Sequence, residues 1–177
     1  MSRANQRDQP CERMSFLISE NVGLCNAIRR TISSELMSWA PFELDIKSNT
    51  SCQTDEFLAH HIGLIPFKRV GNGDTMSLSA TGPCVVLSGD VIGPAFEAVF
   101  DNIEVIRLAQ GQCVDLTLHF DLQAASKHAR YSMCAAIGME KEGANNRLRF
   151  ERIDGGAPQE AFLDALLHFE RRVDRAL

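Results

Sequence analysis

The sequence predicts an α+β fold, because two long helical patterns bracket a region of short β patterns. Near both ends of the chain, apolar residues recur every three or four positions, which is the spacing of one helix face. From Lys68 to about Gln110 the pattern changes to short β-like runs separated by turns such as Gly71–Asp74. With 177 residues, of which 45% are hydrophobic, the chain is long enough for one domain with a modest insertion.

A strand and the first long helix are predicted near the N-terminus. The apolar run at 16–18 suits a strand, and Ser19 or Asn21 could cap the helix that follows. Pro41 cannot continue a helix and is predicted to mark its end. The apolar stripe of this helix comprises Leu24, Cys25, Ile28, Ile32, Leu36 and Trp39.

The next segment predicts a strand, a turn and a short helix. Residues 42–48 alternate apolar and polar side chains with period two, as in a strand with one buried face. Residues 49–51 form a turn-like break. Thr54 could cap a helix beginning at Asp55, where acidic side chains favour the N-terminus, and Gly63 weakens its end.

The remaining patterns predict further strands and a closing helix. Short alternating or apolar runs lie at residues 76–80, 84–87, 103–108, 114–120, 131–139 and 148–153. The last segment, from Pro158 to Leu177, is predicted to be the second long helix. Its stripe comprises Phe162, Leu166, Phe169, Val173 and Leu177, widened by Leu163 and Leu167. Two such helices predict either mutual packing or an interface shared with another subunit.

Composition excludes several classes of function. A formal net charge of −5 argues against a surface that binds nucleic acid directly, since phosphate binding needs clustered Lys and Arg. No apolar stretch approaches the roughly 20 residues of a membrane span, and the polar N-terminal tail, residues 1–13, lacks the apolar segment of a secretory signal. The six cysteines are scattered without a CxxC pair, which predicts a reducing, intracellular compartment.

The acidic and histidine-rich stretch Asp55, Glu56, His60 and His61 is the only segment that suggests a metal-dependent hydrolase. On a helix, however, adjacent histidines point about 100° apart and are poorly placed to chelate one ion together. A capped helix is the favoured interpretation. The GxSxG, GxxxxGK[ST] and GxGxxG motifs do not occur in the sequence.

Several segments together resemble one family. CNAIRR at 25–30, Asn49-Thr50, and DEFLAHHIGLIPF at 55–67 occur in the order and spacing of the α-like subunit of multisubunit DNA-directed RNA polymerases, such as the archaeal D-type polypeptide and the third-largest subunit of eukaryotic RNA polymerase II. His61 stands where that family usually has arginine. Further resemblance lies in GQCVDLTL, KHARYSMCAAI and RFERIDGGAPQEAFLDALLHFERRV. The matches cover most of the chain from Phe16 onward.

The resemblance implies a non-catalytic scaffold subunit used in transcription. It implies a dimerisation domain formed by residues 14–49 and 111–177, an antiparallel sheet with both long helices, interrupted by a β-rich insertion at 50–110. It also implies heterodimerisation with a smaller L-type (eleventh-subunit-like) polypeptide, docking of the second-largest catalytic subunit, and small zinc subunits of the tenth and twelfth type. The implied partner-interface residues are Leu24, Ile28, Arg29, Arg30, Ile32, Leu36, Asp55, Glu56, His60, Phe162, Leu166, Phe169 and Val173.

Some features depart from the family. Relatives often carry a cysteine cluster in the insertion for zinc or an iron–sulfur centre, whereas that region here holds only Cys52 and Cys84, so no cofactor is expected. The short insertion and the absence of an acidic tail after the last helix suggest a compact, divergent polymerase such as that of a large DNA virus. Two alternatives stay open: the metal-dependent hydrolase on Glu56, His60 and His61, and a subunit mimic that regulates polymerase assembly.

Overall fold

The computed structural model describes residues 13–18 and 21–175. Its helices in these ranges are α1 (Val22–Ser34), α2 (Asp55–Gly63) and α3 (Pro158–Asp174). The strands are β1 (Arg13–Leu17), β2 (Met37–Asn49), β3 (Phe67–Arg69), β4 (Thr75–Thr81), β5 (Cys84–Leu87), β6 (Phe96–Ala98), β7 (Glu104–Leu108), β8 (Cys113–Ala124), β9 (Cys134–Glu142) and β10 (Asn145–Arg152). Single 3-10 turns lie at Ser88–Asp90 and Ala129–Tyr131. None of these helices is long and apolar enough to cross a membrane.

The strands pair in antiparallel sheets. One three-stranded sheet has the order β1-β10-β9, and a second has the order β2-β8-β4. Two-stranded pairs join β3 to β6 and β5 to β7. Antiparallel sheets with long helices near both chain ends confirm the α+β prediction at this level.

Two groups of buried side chains hold these elements together. The first core lies between the β2-β8-β4 sheet, α2 and the smaller strand pairs, and it includes Leu58, Leu78 and Leu116, which are fully buried. The second core lies between α1, α3 and the β1-β10-β9 sheet, around Leu148 and Phe150. Burial of apolar area at about 25 cal/mol per Å² is the main stabilising contribution in each.

The first long helix is shorter than the sequence predicts. It ends at Ser34, and Trp39 lies in β2, so the prediction of a helix extending to Pro41 is wrong. The hydroxyl of Ser34 donates to the Arg30 carbonyl at 2.8 Å, and its own carbonyl accepts from the Ser126 amide at 2.8 Å instead of from a further helical turn. Pro41 is accommodated within β2 because the pairing with β8 shifts register immediately after it.

Other predicted boundaries agree well with the structure. Asn21 is the residue that caps α1, its side chain accepting from the Leu24 amide at 3.1 Å, while Ser19 lies outside the described residues. The helix α2 begins at Asp55 after Thr54, whose side chain accepts from the Phe57 amide, as predicted. Most predicted strands are present, although the run at 131–139 becomes a strand only from its fourth residue, and β3 and β6 were missed.

The closing helix has the expected start but a different buried face. Pro158 occupies its first turn, and the predicted end at Leu177 lies outside the described residues. The side chains buried deepest are those of Ala161 and Ala165, both with no exposed area, rather than the leucines. Small side chains allow the helix axis to approach the sheet closely, which leaves the larger apolar residues of α3 further out.

Candidate assembly surface

Three of the residues expected at a partner interface are buried in the second core. Ile28, Ile32 and Leu36 are 1%, 2% and 6% exposed. Because α1 packs its apolar stripe against α3 and the sheet, these side chains offer almost no surface to another subunit. Leu24, at the beginning of α1, is half-buried and packs against the edge of the same core.

The exposed apolar surface lies on α3. Leu163, Leu166, Leu167 and Val173, which we call the α3 apolar face, are 57%, 36%, 49% and 42% exposed. Phe162 and Phe169 are half-buried, and the Phe162 ring stacks on Phe16 of β1 at 4.0 Å between centroids. Leu166 and Val173 were expected at an interface, and both are accessible. Leu163 and Leu167 widen that exposed area.

A groove runs beside the α3 apolar face. It has a volume of about 480 Å³ and lies between α3, the start of β2 and the end of β8. Met37 and Leu167 contribute exposed apolar side chains to it, and Glu35, Lys127 and Arg171 contribute charges. An apolar depression with a charged rim is the arrangement that protein interfaces use for a buried centre and a solvated edge.

The C-terminal half of α3 is fixed to the end of α1 by ion pairs. Glu35 accepts from His168 Nε2 at 2.9 Å and forms a short contact with Arg172. Both partners lie on the side of α3 that faces α1, and they are partly exposed, so each pair contributes little to stability alone. Together they join the C-terminal half of α3 to the end of α1 at two positions one helical turn apart.

The arginine pair of α1 lies outside its buried stripe, with Arg29 half-buried on the flank of the helix and Arg30 on the solvent side. Asn26 Oδ1 accepts from Arg29 at 3.1 Å (Nε) and 2.9 Å (Nη2), which holds this guanidinium along the helix surface. Arg30 is exposed. The two charges therefore lie on different sides of α1, neither of them in the second core.

Asn49 organises the loop between β2 and α2. Its Nδ2 donates to the Gln53 carbonyl at 3.0 Å and to Asp55 Oδ1 at 2.8 Å. Its Oδ1 accepts from the Ser51 amide at 3.1 Å and the Ser51 hydroxyl at 2.7 Å. One side chain thus fixes the turn and the first acidic residue of α2, which explains an asparagine at this position.

Thr50 connects the same loop to the start of β8. Its amide donates to the Cys113 carbonyl at 3.0 Å, and its hydroxyl accepts from the Cys113 amide at 2.7 Å. The Cys113 sulfur also contacts the Ser48 hydroxyl at 3.4 Å. Hydrogen bonds from Ser48, and to a lesser extent Thr50, lower the pKa of the Cys113 thiol from its ordinary value.

The stretch that suggested a metal site does not bring its side chains together. The His60 ring lies 6.4 Å from His128, whereas the His61 ring lies 6.1 Å from Phe57. Asp55 is engaged by Asn49, and Glu56 and His60 are exposed. Among residues 13–18 and 21–175, no three His, Cys, Asp or Glu side chains form a group able to hold a metal ion.

Arg130 is a structural residue that the sequence analysis missed. Its Nη1 donates to the carbonyls of Pro41 at 2.7 Å and Phe42 at 3.3 Å, so it joins the 3-10 turn at 129–131 to β2. The guanidinium also lies against Gly63, where an added Cβ would be 3.3 Å from Nη1. A cation at the end of α2 is favoured by the helix dipole.

The environment of Arg130 also affects a histidine. His128 Nδ1 accepts from the Arg130 amide at 3.1 Å and from its Nε at 3.2 Å. Partial burial, and then the nearby charges of Arg130 and His60, lower the pKa of His128. The only sequence signal for this arrangement was the resemblance of the segment KHARYSMCAAI, in which both residues lie.

The motif residues fix the loops around α2 and β2, and a separate helix, α3, carries accessible apolar side chains; within the described residues this arrangement offers surfaces for protein contacts. The chain is 32% identical over 143 residues to DNA-directed RNA polymerase subunit Rpo3 of Methanocaldococcus jannaschii, covering 78% of this chain and 74% of that protein. The Rpo3 subunits of Pyrococcus horikoshii and Thermococcus kodakarensis are each 31% identical, over 125 and 137 residues. The chain belongs to the Rpo3 family, non-catalytic subunits of DNA-directed RNA polymerase.

The relatives differ in how much of their length is matched. The alignments cover 63% and 67% of this chain for the Pyrococcus horikoshii and Thermococcus kodakarensis proteins, and 48% and 51% of those proteins. The chain therefore spans about half the length of these two relatives. No family model matches the sequence.

Proposed function

We propose that this chain is the assembly platform of its polymerase, heterodimerising with a smaller L-type subunit. The observation that carries the proposal is the α3 apolar face, with four large apolar side chains between 36% and 57% exposed on one helix. Large apolar side chains exposed together on one helix are typical of interaction sites on soluble proteins. The groove beside it would receive apolar side chains of the partner, with Glu35, Lys127 and Arg171 at the edge.

The docking of the second-largest subunit is proposed to use the other accessible elements. Arg29 and Arg30 are accessible on α1 to different extents, and their guanidinium groups suit charge-assisted hydrogen bonds to carboxylates or carbonyls. Glu56 and His60 are accessible on α2. Asp55, the first residue of this helix, accepts a hydrogen bond from the Asn49 side chain. By resemblance to the family, small zinc subunits would complete the platform.

The chain is further proposed to comprise a dimerisation domain at 14–49 and 111–177 and an insertion at 50–110. The division of buried residues into two cores supports this boundary, since the second core draws only on α1, α3, the β1-β10-β9 sheet and the short segments next to them. The first core also uses Leu116, Leu118 and Phe120 of β8. The long strands β2 and β8 would therefore belong to both parts of the chain.

Co-expression with the L-type subunit of the same polymerase tests the proposal. A stable 1:1 complex is expected by size-exclusion chromatography with mass measurement. Leu163→Glu combined with Leu167→Glu should abolish it, because two carboxylates would be desolvated at the interface. Val85→Glu is the matched control, since Val85 is comparably exposed at 42% but lies on β5. A monomeric chain without affinity for that subunit would contradict the proposal.

A further inference from the structure

Arg152, the last residue of β10, is the most completely engaged charged side chain near α3. Its side chain is only 12% exposed. Its Nε and Nη2 donate to the two oxygens of Asp154 at 2.5 and 3.0 Å, and its Nη1 donates to the Ala157 carbonyl at 2.7 Å and to Glu160 at 3.2 Å. The planar fork of an arginine matches this set, whereas a lysine could not span it.

The backbone is shaped to receive this guanidinium. A Cβ added at Gly156 would lie 2.2 Å from Arg152 Cζ, so only glycine allows the two groups to pack together. Gly155 has φ +76°, a conformation that favours glycine, and it packs against Lys68 and Val99. The Gly156 amide donates to Asp154 Oδ1 at 3.3 Å. The loop between β10 and α3 is therefore built around one cation.

The same contacts reach the first turn of α3. Ala157, the N-cap, makes no side-chain capping bond, and Pro158 follows it. The helix start is instead tied to β10 through the Ala157 carbonyl and Glu160, both bound by Arg152. A cation near a helix N-terminus is disfavoured by the helix dipole, and Asp154 and Glu160 offset this. Burial by itself would lower the pKa of Arg152. The hydrogen bonds to Asp154 and its negative charge outweigh this effect, so the pKa of Arg152 is raised.

We infer that Arg152 is a positioning residue that sets the direction in which α3 leaves the sheet, and so presents the α3 apolar face to the partner subunit. This inference rests on the proposed function. The far half of α3 is already oriented by Glu35 through His168 and Arg172, so Arg152 supplies the second fixed point. If α3 had the binding orientation in only about a tenth of the molecules without Arg152, the apparent Kd for the partner would rise about tenfold, because only that fraction could bind.

The test compares full-length wild-type chain with Arg152→Met. The dissociation constant for the L-type subunit is measured by calorimetry, and we expect it to rise about tenfold. Hydrogen exchange of the uncomplexed chain should become faster in the first turns of α3. Unfolding of the first core, against which the single tryptophan Trp39 packs, is followed by Trp39 fluorescence and should change little in midpoint.

Two control variants separate positioning from general stability. Arg149 lies on β10, as Arg152 does, and Arg149→Met removes its exposed ion pair with Glu140 of β9, so affinity and exchange should be unchanged. Leu148→Val leaves a cavity in the second core, lowers its stability and keeps the Arg152 contacts, so affinity should be retained. If Arg152→Met does not fold, Gly156→Ala displaces the guanidinium while keeping its charge, and the same changes are expected.

The outcomes distinguish the inference from the proposed function. The inference would be overturned if Arg152→Met and Gly156→Ala both kept the wild-type affinity for the L-type subunit. It would also be overturned if Leu148→Val lost as much affinity as those two variants. If the wild-type chain does not bind the L-type subunit, the proposed function fails. Exchange in α3 then decides about Arg152 alone: unchanged protection would show that it does not place the helix, and faster exchange confined to α3 would support its positioning role.

Discussion

Replacing Asn49 with alanine should destabilise the chain, because one side chain holds the turn that leads into α2. The substitution removes four hydrogen bonds, two donated by Nδ2 to the Gln53 carbonyl and Asp55, and two accepted by Oδ1 from Ser51. The Cβ remains, so the change deletes the amide without altering the start of the side chain.

The magnitude follows from the environment of each bond. A hydrogen bond contributes about 1 kcal/mol net, and one to a charged group about 1.5–3 kcal/mol. Here the carboxylate of Asp55 is exposed and Ser51 is half-buried, so water can replace part of what is lost. Simple addition gives a loss of about 4.5 kcal/mol, and because water replaces part of these bonds we expect the free energy of unfolding to fall by about 2–3 kcal/mol.

Chemical denaturation followed by Trp39 fluorescence measures this loss. Asn102→Ala, at an exposed turn position, is the control and should change stability by less than about 0.5 kcal/mol. A double-mutant cycle with Asp55→Ala should give a coupling above about 0.5 kcal/mol. A decrease for Asn49→Ala no larger than that of Asn102→Ala, or no coupling to Asp55, would refute this account of the turn.

Three further predictions concern other described contacts. Tyr131, whose hydroxyl donates to Asp121 at 2.6 Å, has its pKa raised to about 12 by burial and then by Asp121. The contribution of Tyr131 to stability should therefore be constant below about pH 10, the unfolded pKa, and should be lost as the pH rises toward 12. The absorbance of tyrosinate from this single tyrosine measures its ionisation, and Tyr131→Phe should lack this part of the alkaline loss. The lowered pKa of Cys113 predicts faster alkylation at neutral pH than in Ser48→Ala, measured by mass spectrometry. Arg130→Met should lower the free energy of unfolding by about 1–2 kcal/mol in denaturation experiments, because two β2 carbonyls lose a charged donor.

Sequence patterns predicted α2 closely and α1 only in part. At α2 the capping Thr54, the first-turn acids and Gly63 are local signals, and local signals are sufficient to place a short helix. At α1 the residues Leu36 and Trp39 continue the helical spacing by coincidence, although both already belong to the chain that enters β2. What ends the helix is the bond between Ser34 and Ser126, which joins segments far apart in sequence.

The candidate surface was predictable in location but not in detail. Large apolar residues drew attention to α3, yet the buried face is formed by Ala161 and Ala165, and the leucines remain accessible. Large apolar residues dominate a hydrophobic sequence pattern, whereas close packing of a helix on a sheet favours small side chains at the contact. Arg130 and Arg152 were missed because their acceptors are largely backbone carbonyls and nearby loop groups, and no spacing rule identifies an arginine that serves such acceptors.

The pairing of Thr50 with Cys113 has a consequence for evolution of the chain. The residues between them leave and return across a gap that these hydrogen bonds span, so a change in the length of this segment need not separate the ends of β2 and β8. Whatever replaces it must still shield Leu116, Leu118 and Phe120 from water. The length of this segment can therefore vary among related chains, provided that it still covers the buried face of β8.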